Sequence, residues 1–250
     1  MRVFRYITNI VSLLFKVYFG VFFFVSLALL YPLFYLFLSH RRGFKAAFHL
    51  KRFWAFLLQL GYFSIVVVKK ESALPAGPFI ICSNHSSYLD IIFMYRAVPR
   101  YFLFMGKNEL LKWPLFRLFF QRQDIAVDRG SASGAALAFK RAREALKRGE
   151  SIAIFPEGTI PKDQPKLHRF KDGAFKLAIE CQVPIVPLTF RTNWKLLRDI
   201  DQWLGPARPG LAHIVVHKAI ATEGMQAEDL VSLRQLVFDT IDKTLHHGSH

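Results

Sequence analysis

One short stretch of the chain places a histidine and an aspartate where they could handle a proton together. Residues 83–90 read SNHSSYLD, with His85 and Asp90 five positions apart. On one ideal helix these side chains would point about 140° apart, so they can pair only if His85 lies on a turn before the helix of Asp90. A carboxylate bonded to one imidazole nitrogen makes the other nitrogen a better general base. The pattern indicates proton abstraction, with a simple helix N-terminus as the alternative.

The polar neighbours of this pair could support it. Asn84, Ser86 and Ser87 surround the histidine. Side chains of these types cap helix N-termini and donate hydrogen bonds to carboxylates. We therefore expect them to act as caps or as donors that hold the pair in place.

A second polar turn follows an apolar run at residues 151–155. It reads PEGT and ends in Glu157, Gly158 and Thr159. Glycine lets the backbone approach a ligand closely, and the carboxylate and hydroxyl could orient a polyol. Taken alone, the same four residues would also suit an ordinary β-turn.

Two cations lie between the polar turns along the chain, Lys107 and Arg129. Isolated cations are usually solvated, but a site that handles phosphate needs lysine or arginine donors. Both are therefore either solvated surface residues or candidate donors to a phosphate.

The elements that must position these turns alternate between strands and helices. Short β-branched or apolar runs predict strands at residues 64–68, 79–82, 151–155, 185–190 and 212–216. Amphipathic patterns predict helices after Ser131, at residues 173–181 and from Leu230 onward. This alternation indicates a single α/β domain with a mixed, largely parallel sheet flanked by helices. Chemistry in such sheets occurs at strand ends, where both polar turns lie.

The N-terminal region has a different composition from the rest of the chain. Residues 17–38 carry no charge and as a helix would be about 33 Å long, enough to cross a bilayer core. Gly20 and Pro32 interrupt this run, so a kinked or interfacial helix is the alternative to a spanning one. Residues 41–60 predict a second helix with a cationic and an apolar face, which would lie in the membrane interface.

These patterns divide the chain in two. We expect a hydrophobic membrane-anchoring helical segment over residues 1–62 and the α/β domain over residues 63–250.

The charge distribution favours a membrane partner over nucleic acid. The net charge is +16, and the first seventy residues hold ten Lys or Arg, no Asp or Glu, and 13 of the 26 Phe. Cations among aromatic rings suit an anionic membrane surface, whereas a nucleic-acid-binding surface would be basic and mostly polar. More cations follow the apolar run than precede it, which predicts that the large C-terminal part lies on the cytoplasmic face.

Together these residues resemble the PlsC-like lysophospholipid acyltransferases, a family of glycerolipid acyltransferases. NHSSYLD fits the family's NHxSxxD signature. Three further family blocks have counterparts in the same order: GKNEL at residues 106–110 with Asp128 and Arg129, FPEGT at residues 155–159, and VPIVP at residues 183–187. The resemblance covers about residues 64–218 and is highly specific because four ordered blocks match. The N-terminal segment resembles the family's membrane-docking helices by composition only.

The resemblance implies transfer of a fatty acyl group from acyl-CoA or acyl carrier protein to the free hydroxyl of a lysophospholipid. The first candidate acceptor is 1-acylglycerol-3-phosphate, which would give phosphatidic acid. His85 would be the general base and Asp90 would orient it. Backbone N–H groups of the His85 turn, or Lys107, would stabilise the oxyanion. No metal and no cofactor beyond the acyl donor is implied. The implied substrate-binding residues are Asn84, Ser87, Lys107, Arg129, Glu157, Gly158 and Thr159.

One position departs from the family pattern. Many members that acylate lysophosphatidic acid have an arginine after the Glu-Gly-Thr block, and this chain has Ile160. An aliphatic side chain does not bind phosphate. Either the acceptor is another lyso-lipid, with a different phospholipid headgroup or lyso-ornithine lipid, or a nearby cation binds the phosphate. The candidate cations are Lys162, Lys166, Arg169 and Lys171.

Two functions of other classes are weaker alternatives. A membrane-bound serine hydrolase could use Ser86 or Ser87 with His85, but the chain has no G-x-S-x-G elbow. A membrane-anchored binding protein without catalytic activity would have no need of both His85 and Asp90.

Overall fold

A seven-stranded sheet forms the centre of the structure, a computed structural model that describes residues 2–112, 114–128, 130–198 and 205–246. The strands are β1 (Ser64–Lys70), β2 (Ile80–Ser83), β3 (Phe102–Lys107), β4 (Ile125–Val127), β5 (Ser151–Ile154), β6 (Ile185–Phe190) and β7 (Gly210–Val216). Their order across the sheet is β1-β7-β6-β2-β5-β3-β4. Most strands that are neighbours in the sheet are not consecutive in the chain, so the chain crosses over the sheet between them, as it does in α/β folds.

Helices cover both faces of the sheet. They are α1 (Arg2–Leu38), α2 (Phe44–Gly61), α3 (Leu89–Ala97), α4 (Pro114–Arg122), α5 (Ala132–Lys147), α6 (Gly173–Cys181), α7 (Asn193–Leu196) and α8 (Leu230–His246). Buried residues of α1, α2 and α3 pack on one face, and those of α5, α6 and α8 on the other. The predicted fold class, a single α/β domain with a mixed, largely parallel sheet, is confirmed.

Strand direction determines where the polar turns lie. β6, β2, β5, β3 and β4 run parallel, whereas β7 runs antiparallel to β6, and β1 pairs parallel with β7. The carboxyl ends of the five parallel strands therefore share one edge of the sheet. The turns that follow β2, β5 and β6 meet there, as expected for an α/β site.

Elements near the sheet edge differ from the sequence prediction. β3, β4 and α4 were not predicted, because β4 has only three residues and shows no period, and Gly106 lies within β3. α1 is one helix from Arg2 through Gly20 and Pro32, so the interruptions do not end it. It is also longer than the predicted run at residues 17–38.

α1 buries one stripe and exposes the rest. Phe19, Leu27, Phe34 and Leu38 recur every four to eight residues and are buried. The Phe34 ring meets the Phe119 ring edge-on at 4.9 Å between centroids. Residues 8–38 are long and apolar enough to span a membrane, with a mean hydropathy of 2.3 over an 18-residue stretch. Exposed apolar side chains on α1 include Val21, Phe24, Val25, Leu29, Leu33 and Leu36.

A buried ion pair ties α2 to the sheet. The sequence suggests that Lys51 belongs to a cationic face of α2, but the structure buries it. Its Nζ lies 2.6 Å from Asp124 Oδ2 and above the Phe119 ring. Asp124 Oδ1 also accepts a bond from the backbone N–H of Phe104 in β3. The correction has a physical reason, since a buried carboxylate needs a cation and only the folded chain brings Lys51 to it.

We expect Lys51→Met to lower the free energy of unfolding by about 3–5 kcal/mol, because it leaves Asp124 buried without a counter-charge. Urea unfolding in detergent micelles measures this. The exposed Lys45 on the same helix provides the matched control, and Lys45→Met should change stability by less than about 0.5 kcal/mol. Equal effects of the two substitutions would contradict the prediction.

Candidate active site

The structure brings His85 and Asp90 into contact. β2 ends at Ser83, residues 84–88 form a turn, and α3 begins at Leu89. This segment is called the His85 turn below. His85 Nδ1 lies 3.0 Å from Asp90 Oδ2. The ring folds back from the turn toward the first turn of the helix, which is the geometry that the five-residue spacing requires.

The carboxylate of Asp90 is completely enclosed and fully bonded. Its relative exposure is 0%. Oδ2 accepts from the backbone N–H groups of Ser86 at 2.5 Å and Ser87 at 2.9 Å, besides facing His85. Oδ1 accepts from the Ser86 hydroxyl at 3.3 Å and from Asn193 Nδ2 at 2.7 Å. Its place in the first turn of α3 adds the favourable field of the helix N-terminus.

Asn193 is a site residue that the sequence analysis missed. It is separated from Asp90 by 103 residues and begins the short helix α7 after β6. A lone asparagine after a strand looks like a helix cap, so no local pattern marks it.

The His85 ring lies flat on an aromatic ring that directly follows β5, the strand beside β2 in the sheet. Its centroid is 4.0 Å from that of Phe155, with 16° between the planes, and Phe155 in turn stacks on Phe104. Among the described residues, only Asp90 hydrogen-bonds the His85 ring, so Nε2 remains available. The stack and the Asp90 bond together fix the direction in which Nε2 points.

Glu157 links the two polar turns. It is buried, and Oε1 accepts from the backbone N–H of His85 at 2.8 Å while Oε2 accepts from that of His168 at 3.0 Å. Burial raises its pKa to about 7, against the lowering effect of these two bonds. Gln164 also donates to the His85 carbonyl at 3.1 Å. In this geometry the Glu157 carboxyl holds the backbone of His85 rather than presenting both oxygens to a polyol.

Asn84 and Ser87 are enclosed by protein. The Asn84 amide makes two bonds to Phe190 in β6, accepting from its N–H at 2.8 Å and donating to its carbonyl at 3.0 Å. Ser87 Oγ accepts from the N–H of Leu89 at the start of α3. Both residues therefore make the capping and supporting contacts that the sequence analysis allowed, and not the substrate contacts that the family resemblance implied.

Four further residues were predicted for the site from the sequence, and three of them lie at the same edge of the sheet as His85. Lys107 is exposed at the carboxyl end of β3. Thr159 is exposed after the FPEGT block, and Gly158 has a φ of +79°, a left-handed conformation that favours glycine. Arg129 lies outside the residues that the structure describes.

The backbone N–H groups of the His85 turn are not free to bind an oxyanion. Those of His85, Ser86 and Ser87 donate to Glu157 or Asp90. The expectation that N–H groups of this turn stabilise the intermediate is therefore wrong for these three. The reason is that the buried carboxylates of Glu157 and Asp90 need hydrogen bonds and already accept them from these N–H groups. Lys107 is the other partner that the sequence analysis named.

A second histidine–carboxylate pair lies elsewhere in the fold. His217 bonds Glu71 at 3.2 Å and the Thr189 hydroxyl at 2.8 Å. Burial lowers the pKa of His217. It follows β7 and lies beside β6, where its backbone N–H donates to the Pro187 carbonyl. In the described part of the chain, no cluster of three or more His, Cys, Asp or Glu could hold a metal.

Comparison with known proteins identifies the family. A family profile described as Acyltransferase matches residues 64–191, about half of the chain, and includes both polar turns. The chain belongs to this acyltransferase family. The PlsC-like resemblance drawn from the motifs is thereby confirmed.

Relatives of this acyltransferase include proteins of animals and plants. The human 1-acyl-sn-glycerol-3-phosphate acyltransferase beta is 32% identical over 180 residues, 70% of this chain and 62% of the relative. A chloroplastic 1-acyl-sn-glycerol-3-phosphate acyltransferase of Arabidopsis thaliana is 28% identical over 216 residues, 85% of this chain and 58% of the relative. The matches thus span about three fifths of the relatives' length.

One solved structure has a similar fold. The crystal structure of the 1-acyl-sn-glycerophosphate acyltransferase PlsC from Thermotoga maritima superposes with a TM-score of 0.80 at 23% identity. The match covers 96% of this chain and 97% of that one. The shared fold therefore extends over the N-terminal helices as well as the sheet.

We expect Glu157 to make stability fall as pH rises. Its pKa of about 7 is above the unfolded value of 4.5, so the folded state binds more protons between these pH values. Relative to Glu157→Gln, which binds no proton there, wild type should lose about 2–3 kcal/mol of unfolding free energy from pH 4.5 to 7. Urea unfolding across this range measures the difference, and parallel pH curves would show that the pKa is not raised.

Proposed function

We propose that this acyltransferase transfers a fatty acyl group from an acyl thioester to the free hydroxyl of a lysophospholipid, with 1-acylglycerol-3-phosphate as the first acceptor. The observation that carries the proposal is the bond from His85 Nδ1 to Asp90 Oδ2, with Nε2 unbonded among the described residues at the active edge. The named activities of the relatives support the choice of acceptor.

The proposed reaction uses His85 as general base. Nε2 takes the proton of the acceptor hydroxyl as its oxygen attacks the thioester carbonyl, forming a tetrahedral intermediate. The intermediate collapses, the C–S bond breaks, and the thiolate takes the proton from the imidazolium. Asp90 fixes the tautomer and stabilises the imidazolium. Phe155, stacked on the ring, adds a cation–π contribution while the ring is charged.

Other residues are assigned to substrate. Lys107, exposed at the carboxyl end of β3, is proposed as the oxyanion or phosphate partner, together with Arg129 for phosphate. Thr159 is exposed and proposed to contact the glycerol, and Gly158 permits close approach. Asn84, Ser87 and Glu157 keep the turns in place beneath the substrate. The donor is acyl-CoA or acyl carrier protein, and no further cofactor is proposed.

Ile160 supports a second candidate acceptor. It occupies the position where family members specific for lysophosphatidic acid often have a phosphate-binding arginine. A lysophospholipid with another headgroup, or lyso-ornithine lipid, would not need that arginine. This alternative keeps the same base and the same thioester chemistry.

The geometry does not favour a serine hydrolase. The Ser86 hydroxyl donates to Asp90, and the Ser87 hydroxyl accepts from Leu89 N–H. Both serines are buried, and in the described part of the chain neither is bonded to the His85 ring. A triad nucleophile must bond its base, so the hydrolase alternative lacks its central contact.

We also propose that the exposed apolar faces of α1 and α2 insert into the membrane, with the sheet on the cytoplasmic side. The support is the row of exposed aliphatic and aromatic side chains on α1, continued on α2 by Phe53, Phe56 and Leu60. An exposed apolar surface of this extent is typical of a surface that contacts a membrane or another protein. Cations after α1, including Arg41 and Arg42, suit the cytoplasmic headgroups.

We expect His85→Ala to abolish acyl transfer and Asp90→Asn to lower kcat by about 10⁴-fold, because the base is lost or held in the wrong tautomer. The assay follows radiolabelled acyl groups from acyl-CoA, and separately from acyl carrier protein, to lyso-lipids with different headgroups. Circular dichroism and vesicle binding should be unchanged in His85→Ala.

The panel of acceptors decides between the two candidates. Acylation of lysophosphatidic acid supports the first, and acylation of another lyso-lipid alone supports the second. If wild type acylates no acceptor from either donor, or if His85→Ala is as active as wild type, the proposed function is wrong.

We expect the double substitution Leu29→Glu/Leu36→Glu to reduce partitioning onto anionic phospholipid vesicles at least about 10-fold, because each leucine loses its burial in lipid. The matched control is Leu137→Glu/Leu236→Glu, which changes two leucines on α5 and α8 that are also exposed, at 52% and 50% against 75% and 64% for Leu29 and Leu36. Sedimentation with vesicles measures binding. Equal loss in both variants would mean that α1 is not the membrane-binding surface.

A further inference from the structure

The Asp90 carboxylate has one bonding partner from a distant part of the chain. In the described residues, its other hydrogen bonds come from residues 85–87, whereas Asn193 Nδ2 reaches Oδ1 from α7 at 2.7 Å. We propose that Asn193 is a positioning residue for proton transfer. Its amide holds the carboxylate in the rotation that aims Oδ2 at His85 Nδ1. This inference rests on the proposed function of His85 as the base.

The polar contacts of Asn193 favour a role as donor. Its side chain is fully buried, and its Oδ1 has no hydrogen-bond partner in the described structure. A buried carbonyl without a donor is unfavourable and calls for an explanation. If the amide were reversed, Oδ1 would face the Asp90 oxygen, and both would be acceptors. Within the described residues the side chain thus makes one hydrogen bond, and that bond goes to the carboxylate.

Neighbouring contacts hold Asn193 rigidly. Three residues earlier, Phe190 is fixed to the end of β2 by the two bonds of the Asn84 amide. The Thr192 hydroxyl donates to the carbonyl of Leu211 in β7. At the other end of α7, the Tyr62 hydroxyl donates to the Leu196 carbonyl at 2.8 Å. A donor held in this way loses little freedom when it orients another group.

The two carboxylate oxygens need different donors. Two backbone N–H groups hold Oδ2, but on Oδ1 the only bond besides Asn193, in the described structure, is the longer one from the Ser86 hydroxyl. Without Asn193, the carboxylate can turn about its Cβ–Cγ bond, and His85 loses its fixed direction. A small misplacement of a catalytic group lowers the rate much more than it lowers substrate binding.

The test replaces the amide with an apolar group of the same shape. Asn193→Leu should lower kcat by about 10- to 100-fold and change KM by less than about threefold. The matched control is Thr189→Val on β6, which likewise removes a buried hydrogen bond, the one to His217. It should keep kcat within about twofold of wild type even if stability falls.

A double-substitution cycle shows whether the effect passes through Asp90. If it does, adding Asn193→Leu to Asp90→Asn should cost less than about twofold in kcat. A full additional loss in that background would overturn the inference, as would an Asn193→Leu enzyme with the kcat of wild type.

A measurement without turnover separates this inference from the proposed function. In ¹⁵N-histidine-labelled protein, the downfield proton resonance of His85 Nδ1–H reports its bond to Asp90. It should broaden or move upfield in Asn193→Leu and remain in Thr189→Val. An unchanged resonance in Asn193→Leu would overturn the inference. A wild-type protein that acylates no acceptor but shows this change would contradict only the proposed function.

Discussion

The enclosed carboxylate of Asp90 is the constraint on which the active edge depends. A charge without solvent contact is tolerated only when donors surround it. Here the donors come from the His85 turn and from Asn193 after β6. They can meet only if β2 and β6 are neighbours that run in the same direction, as they do. The pairing of β2 with β6 at the centre of the sheet is therefore what brings the hydrogen-bond donors of Asp90 together.

The N-terminal helices also belong to the support of the site. Lys51 of α2 bonds Asp124, and Asp124 bonds the backbone of Phe104. The Phe104 ring stacks on Phe155, which lies against the His85 ring. A continuous series of contacts therefore joins the helix pair with the exposed apolar face to the proposed base. Packed interiors are stiff, so the position of α2 constrains the imidazole.

Whether the sequence could predict a contact depends on how far apart its two residues are along the chain. The His85–Asp90 contact was predictable because the two residues are only five positions apart, and most strands and helices were predictable from their periodicity. Asn193 was not, because its partner lies 103 residues away. Lys51 was assigned to the cationic face of the second helix for the same reason, since only the folded chain brings Asp124 to it. The motif around Glu157 was recognised, but its hydrogen bonds to two backbone N–H groups depend on tertiary structure.

Glu157 shows why a destabilising group remains at this edge. Two backbone bonds do not offset its desolvation, so its pKa rises to about 7. A neutral side chain in its place would remove the pH dependence, but an amide has one acceptor oxygen, and Glu157 accepts from both His85 and His168. Only a carboxyl group presents two acceptor oxygens to these backbone groups. The buried acid is therefore retained because it fixes the backbone of His85. The free energy that its burial costs is offset by favourable packing in other parts of the fold.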